Sequence, residues 1–276
     1  MAFELEQINE YKGFIFDLDG VLWTGKEPIA GAVEFINELV AGKYEVRFVS
    51  NTSSRSLAET MQKIERFGYE ITSDQVIVAS RECARQIARE TGRGSYVYLV
   101  GSEGLGRELK KAGLRVLEGK EVNLTACEYV VCGFDERFNY DRMFNALAAF
   151  MNGAGFAAVN LDATAPIADG RKKPAGGAMA ASLEVLAERP PDIMPGKPQP
   201  DLLETAAASA NLAPEECVMI GDTPEADIAA AKNAGMASGL VLSGNAGLAR
   251  MEEVSEFLEP DFILNNIAEL SEYLLN

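Results

Sequence analysis

Two aspartates close a short apolar run in "GFIFDLDGVLW": Asp17 and Asp19 stand two apart, and Gly20 follows. Such a pair can be an acidic turn, a divalent-ion loop, or a nucleophile and an acid/base sharing one metal. Other segments bear on the choice. "EVRFVSN" carries Ser50 and Asn51 after a second apolar run. "CVMIGD" ends on Asp222, with Asp227 five residues further on, and "PGKPQP" presents Lys197 just before a helical pattern. Carboxylates with no other donor type suit a hard cation such as Mg²⁺, which takes oxygen ligands and keeps waters for a phosphorylated substrate. A lysine and a hydroxyl suit the remaining phosphoryl oxygens.

Composition narrows the chemistry further. The chain of 276 residues contains no histidine, which removes Ser-His-Asp triads, phosphohistidine enzymes and His-ligated zinc. Acid/base work must fall to carboxylates, Lys, Tyr, Cys or water. Lys and Arg number 25 against 42 Asp and Glu, a formal charge of −17, and a field of that sign repels nucleic acid and anionic membranes. The expectation is therefore a small-molecule partner, with no nucleic acid and no membrane. Cys83, Cys127, Cys132 and Cys217 form no CxxC pair and read as buried structural thiols in a reducing compartment. The start "MAFELEQINEYKG" lacks an apolar signal core, and no run reaches the ~18 apolar residues of a membrane span. A cytoplasmic location is expected.

The elements that must position these residues alternate. "GFIF", "EVRFVS" and "QVIVAS" read as strands, separated by helices with Val33, Ile36, Leu39 and Val40 on one face and Leu57, Met61, Ile64 and Phe67 on another. The C-terminal part repeats the rhythm through "CVMIGD", "SGLVLSG" and "DFILNN", and "IAELSEYLLN" closes the chain as a helix. This predicts an α/β fold with a Rossmann-like, doubly wound parallel-sheet core. The middle has its own strands, "SYVYLVG", "EYVVCGFD" and "FAAVNLD", and reads as an inserted smaller α/β domain. The expected division is core over 1–83, insert over 84–191 and core again over 192–276. In open parallel sheets ligands bind at the carboxyl ends of the strands, so Asp17, Asp19, Ser50 and Asp222 should converge there.

Singly, each segment has a plainer reading. "SNTS" could only cap a helix, "GDTPEAD" could be a turn with Pro224 in a first helical turn, and Lys197 could be an exposed loop lysine. The pair Asp17 and Asp19 is no EF-hand, since no third Asp and no closing Glu follow. "VGSEGLGREL" has the order GxxGxG and reads as a turn into a helix, not a dinucleotide site.

Taken together, the segments resemble the haloacid dehalogenase superfamily over nearly the whole chain. "FDLDGVLW" is similar to its first motif, "VSNTSSRS" to its second, "GKPQP" to its third and "IGDTPEAD" to its fourth. The insert and its flanks, "VLWTGKEPIAGAVEFI", "VGSEGLGREL" and "GAMAASLE", resemble the NagD-like, p-nitrophenyl-phosphatase branch with a type IIA cap. The resemblance implies Asp17 as nucleophile and Asp19 as general acid/base. It implies phosphoryl binding by Ser50, Asn51 and Lys197, Mg²⁺ on Asp17, Asp19 and Asp222, and support from Asp227. The implied reaction is hydrolysis of small phosphomonoesters through an aspartyl-phosphate. A phosphotransferase using the same intermediate, or a non-catalytic phosphate-binding relative, are the alternatives. The resemblance also suggests a homodimer through the cap. The run "VNLDAT" keeps Asn160 and Asp162 as cap residues for substrate, and Arg171, Lys172 and Lys173 form a basic run that either approaches the leaving group or is a solvated loop. "PAGGA" and "DTPEA" depart from the branch pattern, and with them the identity of the substrate stays open.

Overall fold

In the computed structural model, which describes residues 5–119, 122–166, 171–244 and 256–275, β1 (Gly13–Asp17) is buried along its whole length. A strand covered on both faces has no need of alternation, which is why "GFIF" is continuous rather than patterned. Following the hairpin β2 (Trp23–Thr24) and β3 (Glu27–Pro28), helix α1 (Ala32–Ala41) leads to β4 (Glu45–Ser50), then α2 (Leu57–Arg66) and β5 (Val76–Val78). β5 runs straight into α3 (Ala79–Thr91), so the apolar stretch read as one strand through Ser80 is shared between two elements.

The next part holds β6 (Tyr96–Val100), α4 (Glu103–Lys111), β7 (Arg115–Leu117), β8 (Cys127–Cys132), α5 (Tyr140–Met151) and β9 (Gly155–Ala158). β9 ends four residues before Asp162, earlier than the apolar pattern suggested. The hairpin β10 (Thr164–Pro166) and β11 (Lys172–Pro174) and helix α6 (Gly176–Ala187) follow. Then come α7 (Asp201–Ser209), β12 (Cys217–Gly221), α8 (Ala229–Ala234), β13 (Ala237–Val241) and β14 (Phe262–Leu264). The expected closing helix is a 3₁₀ turn, Ile267–Leu270, and one short helical turn, Ser271–Leu274.

Two sheets result. The first has six strands in the order β14-β13-β12-β1-β4-β5, with β1 parallel to both neighbours. The second has four parallel strands, β7-β6-β8-β9. The chain forms two compact units: residues up to Ser50, Met61–Ile77 and from Lys197 onward make one, and Asn51–Thr60 with Val78–Gly196 make the other. Phe16 stacks on Phe48 at 6.0 Å in the first core, and Tyr98, Val130, Phe156 and Leu183 fill the second. Each such buried side chain contributes about 1.5–3 kcal/mol. All four cysteines are free and buried, and burial pushes the Cys83 thiol up to about 12 and the Cys127 and Cys217 thiols to about 11. Among the described residues no helix is long and apolar enough to cross a membrane.

Candidate active site

The chain leaves β1 in one direction toward β4 and β5, and adds β12 on its other side. That reversal is a topological switch point, where a crevice opens at the carboxyl ends of the strands. Register decides what lines it. Asp17 pairs with Val49, so Ser50 stands one step beyond. Phe16 pairs with Ile220, so Gly221 is level with Asp17 and Asp222 follows.

Asp17, Asp222 and Asp227 are all buried there, with one carboxylate oxygen from each within 4.8 Å of the others. Lys197, only 2% exposed, donates to Asp17 Oδ1 at 2.5 Å and also to Asp227 Oδ1. Lys197 is therefore no exposed loop lysine. Asp227 is committed to its neighbours, because its Oδ2 accepts the main-chain N–H of Asp222 at 3.0 Å and of Thr223 at 2.9 Å. It sits in a π-helical turn, Pro224–Ile228, of the kind that often marks functional positions. Asp222 accepts the Thr223 hydroxyl at 3.0 Å. Gly20 is left-handed at φ +94°, and a Cβ on it would fall 2.2 Å from Asp222 Oδ2. The glycine after the acidic pair is thus both a turn and the surface against which Asp222 rests.

Burial pushes the Asp17 carboxyl well above its usual range, Lys197 opposes this, and Asp227 and Asp222 add to the rise. Burial works against the Lys197 charge as well, but Asp17 and Asp227 outweigh it and hold the ammonium protonated. Three carboxylates facing one ammonium leave an excess of buried negative charge. A donor set of oxygens alone with that excess fits a divalent hard cation.

Asp19 is placed differently. Its Oδ1 accepts the Trp23 indole N–H at 2.8 Å and the Lys63 ammonium at 3.0 Å, and its side chain is half exposed. Lys63 also lies 4.4 Å from the Trp23 ring centroid. Neither Trp23 nor Lys63 stood out in the sequence. The only signal was weak: Trp23 follows Asp19 by four residues, and Lys63 occurs on α2 between apolar positions.

Asn51, Asn160 and Asp162 form a separate group within the second unit. Asn160 donates to the Asn51 carbonyl, and the Asn51 amide donates to Asp162 Oδ2 at 3.2 Å. Of the basic run, Lys172 and Lys173 lie on β11, and all three residues are exposed. The Lys173 ammonium lies 4.4 Å from the Phe134 ring centroid, and the two line a cavity of about 400 Å³ with Phe138, Pro174 and Met179. Residues 167–170 of the same loop lie outside the described residues.

Fold and site together describe a protein of the doubly wound α/β class with three buried aspartates clustered at its switch point. Residues 14–115 match the model for haloacid dehalogenase-like hydrolases, and residues 194–270 match a second, HAD-hydrolase-like model. The sugar-phosphatase AraL of Bacillus subtilis is 32% identical over 260 residues, covering 94% of this chain and 92% of that protein. A p-nitrophenyl phosphatase from Archaeoglobus fulgidus superposes with a TM-score of 0.87 at 32% identity, covering 95% of this chain and 99% of the other. A glycerol phosphate phosphatase from Mycobacterium tuberculosis, solved in complex with magnesium, gives 0.83 at 28% identity, covering 98% of this chain and 78% of the other. The chain belongs to the haloacid dehalogenase-like hydrolases.

Proposed function

We propose that this hydrolase is a Mg²⁺-dependent phosphatase that cleaves small phosphomonoesters through an aspartyl-phosphate on Asp17. The observation that carries this reading is the buried Asp17 carboxylate at the switch point, 2.5 Å from the Lys197 ammonium and beside Asp222 and Asp227. The similarity to named phosphatases, one of them solved with magnesium, supports it.

The residues divide the work. An Asp17 oxygen forms the bond to phosphorus while the bond to the leaving oxygen breaks. Asp19 gives its proton to the departing alcohol, then takes one from the water that releases inorganic phosphate from Asp17. The half-exposed Asp19 carboxyl, steered by Trp23 and Lys63, suits a group that must exchange protons with water. Ser50, Asn51 and Lys197 hold phosphoryl oxygens as charge shifts. Asp17, the main-chain carbonyl of Asp19 and Asp222 would hold the cation, while Asp227 is occupied in fixing Lys197 and the Asp222 amide. Bound there, Mg²⁺ would neutralise charge that otherwise sets a carboxylate against a dianionic phosphate. The inserted unit takes the part of a cap.

The test is a panel of phosphate esters, including p-nitrophenyl phosphate, assayed with Mg²⁺ and with EDTA. Activity should require the cation, and Asp17→Asn should lose at least about 10³-fold in kcat. Hydrolysis that survives EDTA, or full activity in Asp17→Asn, would refute the proposal.

A further inference from the structure

Asn160 and Asp162 stand in the sequence as candidates for touching substrate, yet the structure gives both another occupation. The chain crosses from the first unit to the second between Ser50 and Asn51. Directly after that crossing, Asn51 is gripped twice. Its carbonyl accepts from the Asn160 amide, and its own side-chain amide donates to Asp162 Oδ2 at 3.2 Å. The two gripping residues are tied to each other, since the Asp162 N–H donates to Asn160 Oδ1 at 3.2 Å. Asn160 is 3% exposed, and a buried amide with both ends satisfied has one orientation.

The base of this grip is itself anchored. The Val159 N–H donates to the Cys132 carbonyl at the end of β8, at 2.9 Å. The Gly196 N–H donates to the Val159 carbonyl at 3.1 Å, and the Gly177 N–H at the start of α6 donates to the Asp162 carbonyl at 2.9 Å. Residues 159–162 are thereby pinned to a strand, a helix and the segment leading to Lys197. Side chains held from a rigid base transmit that rigidity to what they bind.

From this we infer that Asn160 and Asp162 are positioning residues for the Ser50–Asn51 peptide and do not discriminate between leaving groups. The inference rests on the proposed role of Ser50 and Asn51 in holding the phosphoryl group. One hydrogen of the Asn51 amide is spent on Asp162, so Asp162 fixes the side chain while Asn160 fixes the main chain. A displaced phosphate-binding peptide handicaps every ester alike, because the phosphoryl group is common to all of them.

A double-mutant cycle tests this. Asp162→Ala, Asn51→Ala and the double variant are assayed on p-nitrophenyl phosphate and on glycerol phosphate. Asp162→Ala should lower kcat/KM about tenfold, by the same factor on both esters, and should add less than about twofold once Asn51 is already Ala. Asp162→Asn keeps a carbonyl acceptor and should stay within about threefold of the parent. Factors that differ between the esters, or that multiply in the double variant, would overturn the inference. If Asp162→Ala does not fold, Asp162→Ser enters the same cycle. An activity-free readout separates this inference from the phosphatase assignment. Amide hydrogen exchange over residues 50–55 should quicken in Asp162→Ala, and unchanged exchange there would overturn the grip even if no ester is hydrolysed.

Discussion

Asp222 owes its place to a residue with no side chain. The Gly20 Cα faces its carboxylate, and any Cβ would sit 2.2 Å from Oδ2 at a backbone φ of +94°. Gly20→Ala should therefore cost about 1–3 kcal/mol in thermal unfolding and weaken Mg²⁺ binding by displacing Asp222. A variant with parental melting and parental Mg²⁺ affinity by calorimetry would show that the contact is slack. At this scale the sequence disclosed the acids, because carboxylates after apolar runs are conspicuous. It did not disclose what restrains them. Lys63 is one lysine among many on a helix surface, and only the fold brings its ammonium within 3.0 Å of Asp19. Likewise nothing in "VNLDAT" announces that Asn160 bonds to a carbonyl 109 residues earlier.

Strand and helix patterns were legible where one face or both are buried, as in β1, β4 and β12. They were not where elements are too short for periodicity, such as β2 with β3 or β7. The start of α2 shows a finer limit. "SNTS" suggested a cap near Arg55, but the cap is Ser56, in a reciprocal box with Glu59. The Ser56 N–H donates to Glu59 Oε2 at 2.8 Å, and the Glu59 N–H donates to Ser56 Oγ at 3.3 Å. A buried carboxylate from α4 helps, since Glu108 Oε1 accepts the Leu57 N–H at 3.0 Å. Burial raises the Glu59 pKa, but the bonds from Ser56 and Arg107 outweigh it for a net fall. A carboxyl lowered on folding stabilises fully above its unfolded pKa and loses that contribution as pH falls through the lowered value. Ser56→Ala should cost about 1 kcal/mol at pH 7, and the difference should shrink in urea melts taken below about pH 4. A penalty that stays constant down to pH 3 would show that the box contributes through packing alone.

For the molecule as a whole, the charge of −17 is countered locally rather than globally. The acidic excess has one consequence for stability that concerns Lys197. Its ammonium is already inside the acidic cluster, bonded to Asp17 and Asp227. It therefore serves as a counter-ion within the cluster itself. The expected outcome is a parent protein whose melting temperature changes little between EDTA and Mg²⁺. Lys197→Met should break this independence. In EDTA the variant should melt on the order of 10 °C below the parent, as expected for about 3–5 kcal/mol on removing one partner of a buried pair. Saturating Mg²⁺ should raise its Tm by more than it raises the parent's. Parental melting in EDTA together with equal Mg²⁺ shifts would mean that the lysine does nothing for the fold.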